Sequence, residues 1–206
     1  TGAENVVLGR ALGAATTGGQ NIAIGNGALG SGVLTYASAN NVAIGTQALN
    51  SATGSAYDNV AVGGYSMQEL TSSTENTAVG KQTLNQLTTG GNNVAFGYSA
   101  SINATTSSGN AYIGYKAGYR VTTPAANTII GWKAGYNVTT GGLNTFLGYE
   151  TGQGNPNPAI TGSSNTGIGS RALKSLTSGS NNTAIGLNAG DSITSGENNI
   201  VIGKNA

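Results

Sequence analysis

Two carboxylates in this 206-residue sequence occupy equivalent positions in neighbouring units of a repeat. Asp58 and Glu75 each stand directly before an asparagine, and these asparagines open two consecutive units. If such units stack, the carboxylates lie about 5 Å from one another, which is the separation of the catalytic pair in retaining glycosidases. We nevertheless interpret both as solvated turn residues, because an exposed turn neither excludes water nor raises the pKa of one carboxyl group.

The residues that most other catalytic and metal sites require are missing from the composition. The sequence contains no histidine and no cysteine, so it offers no Ser–His–acid triad, no Cys–His pair and no zinc site with the usual ligands. It also lacks the Asp-x-Asp pattern of calcium-binding loops. We therefore expect a protein that is not an enzyme and that uses no cofactor and no metal.

Aromatic residues recur at the spacing of the repeat and form the candidate binding site. Four of them occupy the same position in consecutive units, so stacked units would align them in one column, and two further tyrosines form a second column beside two lysines. An exposed aromatic column suits stacking on sugar rings or docking of a protein partner. It can equally be a ladder that stabilises the stack or packs between chains, with lysines that serve solubility. The candidate residues for binding a glycan or receptor are Tyr98, Tyr115, Trp132, Tyr149, Tyr119, Tyr136, Lys116 and Lys133.

These spacings belong to a five-residue motif that occurs twelve times. Each copy runs asparagine, a Val/Thr/Ile-type residue, usually a small residue, an aliphatic residue or Phe, and glycine. A 17-residue step separates most copies, and four steps are shorter or longer. A fixed period in this range indicates a repeat architecture in which each unit forms one coil. The motifs begin at Asn5, Asn21, Asn41, Asn59, Asn76, Asn93, Asn110, Asn127, Asn144, Asn165, Asn182 and Asn199.

The unit that begins at Asn182 predicts how one coil is built. Its residues alternate, with Thr183 and Ile185 on one face and Asn182 and Ala184 on the other, which is the pattern of a β-strand. We expect the glycine to end this strand and a second short strand and a polar turn to follow. We expect the aliphatic position before each glycine to be the core, with a second apolar anchor later in the unit. These second anchors are Leu70, Leu87, Val121, Val138, Leu176 and Ile193.

Stacking of such units predicts a fibre. Coils would lie about 4.8 Å apart, the hydrogen-bonding distance between strands, with the asparagine side chains in a ladder. Small residues such as Ala43 and Ala61 alternate with the aliphatic ones, so both strand faces suit close packing, and a homotrimer around a central axis buries both. The predicted fold is all-β: a parallel β-solenoid of about twelve coils of about 17 residues, in a homotrimeric fibre.

The repeat extends from end to end, so we expect residues 1–206 to form one solenoid domain, with loop insertions near residues 31–38 and 153–163. Only 7% of the residues are charged and the net charge is +1, which provides no field to attract nucleic acid. No apolar stretch is long enough to insert into a membrane. The chain starts and stops close to a motif, and we interpret it as a segment of a longer fibre.

The motif Asn-x-Ala-Ile-Gly-x-x-Ala resembles two families of surface fibres. Segment 59–66 is similar to the repeat in the head region of trimeric autotransporter adhesins, although the 17-residue unit is longer than theirs. Segment 182–189 is similar to the repeat array of phage tail fibres. The resemblance covers all twelve units and implies a trimeric left-handed parallel β-roll. Segment 44–49 also fits the hexapeptide signature of left-handed β-helix acyltransferases, but it occurs once per unit and those enzymes use a histidine base.

With this resemblance, the predicted function is a structural shaft of an extracellular or virion fibre that mediates attachment to a host or surface, as in a phage or injection-system tail fibre. The alternative is a bacterial surface adhesin head that binds glycans or matrix proteins through the aromatic column. The expected partners are further copies of the chain, other fibre or baseplate proteins, and a host-surface glycan or receptor, without nucleic acid. The expected location is extracellular.

Overall fold

The computed structural model describes residues 4–10, 18–30 and 38–206, and within these ranges the chain forms twelve β-strands and no helix. Every strand is three residues long and lies between the asparagine and the glycine of one motif. No described segment is a helix that could cross a membrane. The strands are β1 Val6–Leu8, β2 Ile22–Ile24, β3 Val42–Ile44, β4 Val60–Val62, β5 Thr77–Val79, β6 Val94–Phe96, β7 Ala111–Ile113, β8 Thr128–Ile130, β9 Thr145–Leu147, β10 Thr166–Ile168, β11 Thr183–Ile185 and β12 Ile200–Ile202.

The twelve strands form one parallel sheet whose spatial order is the sequence order. Each strand pairs with the next so that equivalent positions stand side by side, as Ile44 stands beside Val62 and Val62 beside Val79. Backbone hydrogen bonds continue past the strand ends, for example from the Gly63 N–H to the Ile44 carbonyl at 2.7 Å. The predicted all-β parallel β-solenoid with one coil per motif is therefore confirmed.

The direction in which the strand side chains point corrects the predicted core. The middle residue of each strand from β2 to β11 is buried inside the coil, and Ala43 and Ala61 are fully buried. The aliphatic residue before the glycine points outward, so Phe96 and Leu147 are each 43% exposed. The prediction that this aliphatic position forms the core of the coil is wrong. A coil closed by so short a unit is narrow, so only a small residue fits at the strand centre where the returning chain carries a large side chain, as Met67 does opposite Ala61.

The coil interior is filled mainly from the returning half of each unit. Met67 and Leu70 are fully buried in the coil that contains Ala61, and Leu84 and Leu87 take the same places in the next coil. The second apolar anchors are thereby confirmed as core residues. Those that are buried are Leu70, Leu87, Val121, Val138 and Leu176, while Ile193 is partly buried against them.

The returning segment is not the second strand that the sequence predicts. Gln47 and Leu49 have φ angles of 55° and 50°, in the left-handed region, so the backbone turns at every second residue. Its N–H groups still bond to neighbouring coils, from Gln47 to the Asn26 carbonyl on one side at 2.9 Å and from Leu49 to the Ser66 carbonyl on the other at 3.1 Å. The segment thus satisfies its backbone polar groups without extended strand geometry.

The motif asparagines form the predicted ladder inside the solenoid. Asn59 is fully buried, and both its backbone N–H and its Nδ2 donate to Oδ1 of Asn41, at 3.1 and 3.0 Å. Its Nδ2 also donates to the Ser73 carbonyl at 2.8 Å, across the coil. Oδ1 of Asn59 in turn accepts from Asn76 in the next coil. The amide therefore links three consecutive coils and closes its own coil, which explains why every motif begins with this residue.

The closing glycines allow neighbouring coils to approach one another. Gly45 has a φ of 133°, and a Cβ at this position would lie 2.6 Å from the carbonyl carbon of Gly63 in the next coil. A residue with a side chain would be strained at this φ angle, and its Cβ would clash with the next coil. Only glycine therefore fits here without displacement of the backbone.

The two predicted insertions lie in different parts of the chain. The first, near residues 31–38, lies outside the described ranges except for Ser38. The second leaves the coil after Gly154 and exposes residues 155–158. Ile160 is buried and pairs in parallel with Val138. After the insertion, the chain therefore returns to the core position that Val138 occupies in the preceding coil. Nη1 of Arg120 donates to the carbonyl of Pro156 at 3.2 Å, which holds the loop against the side of the solenoid.

Candidate binding site: the aromatic strip

The residue after the closing glycine is aromatic in four consecutive coils, and the four rings stack on one another. Ring centroids are 5.6 Å apart between Tyr98 and Tyr115, 5.8 Å between Tyr115 and Trp132, and 4.9 Å between Trp132 and Tyr149. The ring planes of these pairs differ by 13°, 14° and 4°. The predicted single column is confirmed, because the parallel register of β6 to β9 carries over to the residues that follow the strands.

A second column lies beside the first, and two lysines stand between them. The rings of Tyr119 and Tyr136 stack at 4.9 Å. Nζ of Lys116 lies 5.0 Å from the ring centroid of Tyr119 and 5.4 Å from that of Tyr115 in the first column. Such contacts stabilise an exposed ammonium group by about 0.5–1 kcal/mol.

Lys133 repeats this arrangement one coil later. Its Nζ lies 4.3 Å from the ring of Trp132 and 5.8 Å from that of Tyr136. We call the two columns and their lysines the aromatic strip. It comprises Tyr98, Tyr115, Trp132, Tyr149, Tyr119, Tyr136, Lys116 and Lys133.

Stacking restricts the way in which the strip can bind a ligand. Each interior ring has a neighbouring ring on both faces at about the coil spacing, so no sugar ring fits between them. Tyr115 and Trp132 are nevertheless 39% and 38% exposed. The exposed parts of these two side chains are therefore mainly ring edges rather than ring faces. Binding of a glycan or receptor by the strip stays a prediction, but stacking of sugars on the interior ring faces is excluded by this geometry.

An ion-paired carboxylate stands at the far end of the first column. Oε2 of Glu150 lies 3.1 Å from Nε of Arg171 and 3.4 Å from Nζ of Lys174, and the carboxyl side chain is only 12% exposed. Burial by itself raises the pKa of Glu150, but the hydrogen bonds and charges of Arg171 and Lys174 outweigh it and hold the pKa below its usual value. The guanidinium of Arg171 also lies 5.9 Å from the ring of Tyr149. This end of the column thus adjoins a cluster of one carboxylate and two cations, in which the charge of Glu150 is fully compensated.

Two cations close to the strip were not among the predicted site residues. Arg120 directly follows Tyr119, and its guanidinium is fixed by the carbonyl of Pro156. Lys81 precedes Tyr98 in the first column, since the Ser99 N–H bonds to the Lys81 carbonyl at 2.9 Å. Both cations could have been identified from the sequence. The 17-residue register places them next to the aromatic residues, and they lie in a stretch without acidic residues.

The two carboxylates considered for catalysis lie on an exposed turn, as predicted. Asp58 and Glu75 have φ angles of 56° and 59° and are exposed, and Oδ1 of Asp58 accepts a hydrogen bond from Asn40 at 3.0 Å. The Glu75 N–H bonds to the carbonyl of Tyr57, so the two residues are in register in neighbouring coils. Their exposure supports the interpretation as solvated turn residues. The absence of enzymatic activity stays a prediction.

Acidic residues are not concentrated elsewhere either. Over the parts of the chain that the structure describes, no three His, Cys, Asp or Glu side chains are grouped so that they could hold a metal ion. Comparison of this chain with protein-family models, with curated proteins and with solved structures finds no match.

Proposed function

We propose that this chain is the shaft of a fibre on a virion or a cell surface, assembled from three copies, whose role is mechanical. Such a shaft holds an attachment part at a distance from the particle or cell that carries it. The observation that supports this proposal best is the uncovered apolar outer face of the sheet.

The outer face carries one continuous apolar column. Its members include Ile113 and Ile185, which are 37% and 38% exposed. Parallel sheets are ordinarily covered on both faces, and contiguous apolar patches of this kind mark interaction surfaces. The column comprises Leu8, Ile24, Ile44, Val62, Val79, Phe96, Ile113, Ile130, Leu147, Ile168, Ile185 and Ile202.

Packing of copies around a common axis covers this column along its whole length. The resemblance to trimeric fibres favours three copies. Each coil is hydrogen-bonded to the next at the strand, in the returning segment and through the asparagine ladder, which makes a solenoid stiff. A phage or injection-system tail fibre is the first choice for the assembly, with other fibre or baseplate proteins at its ends, and an extracellular location follows from it.

Sedimentation equilibrium of the purified chain tests the assembly. The expected mass is three times the 20.2 kDa of one chain. The double variant Val79→Asp, Ile168→Asp places two charges on the outer face and should sediment as a monomer with an unchanged circular dichroism spectrum. Thr89→Asp, at an exposed turn away from that face, is the control and should remain trimeric. A wild-type monomer contradicts the proposal.

A second candidate function is attachment itself, as in a bacterial surface adhesin that binds a glycan or matrix protein. The aromatic strip favours it, because four large aromatic side chains remain 38–45% exposed in neighbouring coils. Retention of this protein on a glycan surface, and its loss in a Tyr115→Ala, Trp132→Ala variant, is the corresponding test.

A further inference from the structure

The geometry points to an anionic polysaccharide as the ligand of the aromatic strip: a chain bearing carboxylate or sulfate groups that lies along the solenoid axis. This inference rests on the second candidate function. It needs the strip to be free for contact and does not depend on how many chains the fibre contains.

The first argument comes from the exposed parts of the rings. The face of an aromatic ring carries partial negative charge and its edge partial positive charge. In the first column, ring faces cover one another at 4.9 to 5.8 Å, so the strip presents edges to solvent. A surface made of ring edges favours groups that carry negative charge.

The second argument comes from the cations that accompany the rings. The ammonium groups of Lys116 and Lys133 lie in consecutive coils between the two columns, within 4.3 to 5.8 Å of a ring in each. Arg120 directly follows Tyr119 of the second column in the sequence, and Lys81 continues the first column. An extended ligand with regularly placed anionic groups can therefore meet a cation in more than one coil.

The third argument is the distribution of charge along the chain. Residues 76–149 contain four of the eight basic residues and none of the seven acidic ones. The first acidic residue after them, Glu150, is ion-paired with Arg171 and Lys174. The overall net charge of only +1 hides this concentration, because all the carboxylates lie before or after this stretch. Within residues 76–149, no carboxylate of this chain would therefore repel an anionic ligand.

The same geometry disfavours other polyanions. Proteins that bind single-stranded nucleic acid stack bases on free aromatic faces, and here the interior faces are covered. Duplex binding depends on neutralising many phosphates, and four cations spread over several coils are few for that purpose. Ring edges beside a few cations match the mixed polar and anionic groups of an acidic polysaccharide.

Binding of defined polymers to the immobilised wild-type protein tests the inference. The probes are polygalacturonate, heparin, neutral dextran, poly-glutamate and oligo-deoxythymidine. We expect polygalacturonate or heparin to bind, with an affinity that falls as sodium chloride is raised from about 50 to 200 mM. Dextran, poly-glutamate and oligo-deoxythymidine should bind at least tenfold more weakly.

A charge-matched pair of variants locates the site. Lys116→Gln, Lys133→Gln removes two charges from the strip and should lower the affinity at least tenfold. Arg10→Gln, Lys204→Gln removes two charges from exposed positions outside the strip and should leave the affinity within about twofold.

Circular dichroism and the sedimentation mass of each variant show whether fold and assembly are kept. A failure of the shaft proposal can therefore be distinguished from a failure of polysaccharide binding. No binding of either anionic polysaccharide, equal binding of dextran, or equal loss in both variants overturns the inference. Preferential binding of poly-glutamate or oligo-deoxythymidine also overturns it, in favour of an acidic protein or a nucleic acid.

Discussion

Phe146 and Gly152 share one place in the coil interior: a Cβ on residue 152 would lie 2.6 Å from Cδ1 of the Phe146 ring. The centre of the strand and the position six residues later therefore face each other. In most coils where the strand centre is small, as at Ala61, the later position carries a large side chain, here Met67. Ala95 with Ser101 and Ala184 with Gly190 are exceptions, in which both positions are small. A large residue at the strand centre stands opposite a glycine in three pairs, Tyr112 with Gly118, Ile129 with Gly135 and Phe146 with Gly152. A small residue at the strand centre stands opposite a leucine in Ala43 with Leu49, Ala78 with Leu84 and Gly167 with Leu173.

This relationship predicts that the two positions compensate for each other. Phe146→Ala should cost about 3–5 kcal/mol through a cavity, and Gly152→Leu about 1–3 kcal/mol or more through overpacking. The double variant should be more stable than Phe146→Ala alone, since the new leucine fills the cavity. The backbone tolerates leucine there, because Leu173 adopts a φ of 51° and Gly152 one of 52°.

Urea unfolding of the four proteins measures this coupling. Phe146→Ala combined with Gly118→Leu, in a different coil, is the mismatched control and should be less stable than either single variant. If the costs of the matched pair simply add, the two residues do not share a site and the relationship fails.

The asparagine ladder predicts a large loss from a single amide. Asn59→Ala removes the acceptor of two Asn76 N–H groups and the donor to Asn41 and to Ser73. Because these groups are buried, we expect a loss of about 2–4 kcal/mol in the free energy of unfolding. Asn155→Ala, in the exposed loop, should change it by less than about 0.5 kcal/mol. Equal effects in thermal or urea unfolding would contradict a structural role for the ladder.

The buried carboxylate of Glu150, next to the end of the first aromatic column, predicts a contribution to stability that depends on pH. The pKa of Glu150 is lower in the folded state than its ordinary value of 4.5, so the pair with Arg171 stabilises the fold above that value. This stability is lost as the pH falls through the folded pKa. Glu150→Gln should therefore lower stability at pH 7 by about 1 kcal/mol, and the difference from wild type should shrink below about pH 4.

Urea midpoints measured between pH 3 and 7 provide the check on this carboxylate. Glu197→Gln, at an exposed turn, is the comparison variant. A difference between Glu150→Gln and wild type that stays constant over the whole range would show that the ion pairs do not act on stability.

Stacking in the first aromatic column predicts a stabilising role for its central ring. Trp132→Ala removes the contacts with both Tyr115 and Tyr149, and we expect a cost of about 1–3 kcal/mol. Leu187→Ala is the matched control, because Leu187 occupies the same place in its coil and is similarly exposed, at 42%. It should cost less than half as much in thermal or urea unfolding. A larger cost for Leu187→Ala would leave no role for the stacked rings.

Every feature that depends on register alone can be predicted from the order of the amino acids. The 17-residue period was enough to predict one strand per motif, a parallel sheet in chain order, the asparagine ladder and the column from Tyr98 to Tyr149. The physical reason is that stacked coils with a constant step must place equivalent residues in contact, whatever the shape of the coil in cross-section.

The contents of the coil interior, and the parts of the rings that remain free, depend instead on how the chain folds in three dimensions. Alternation shows that Ile44 and Ala43 face opposite ways, but the width of the coil, set by left-handed residues such as Leu49, decides that the alanine lies inside. The covered ring faces and the contact of Arg120 with the loop at Pro156 likewise depend on positions in space between coils. A one-dimensional pattern specifies neighbours along the stack, whereas the cross-section follows from backbone angles that many residue types can adopt.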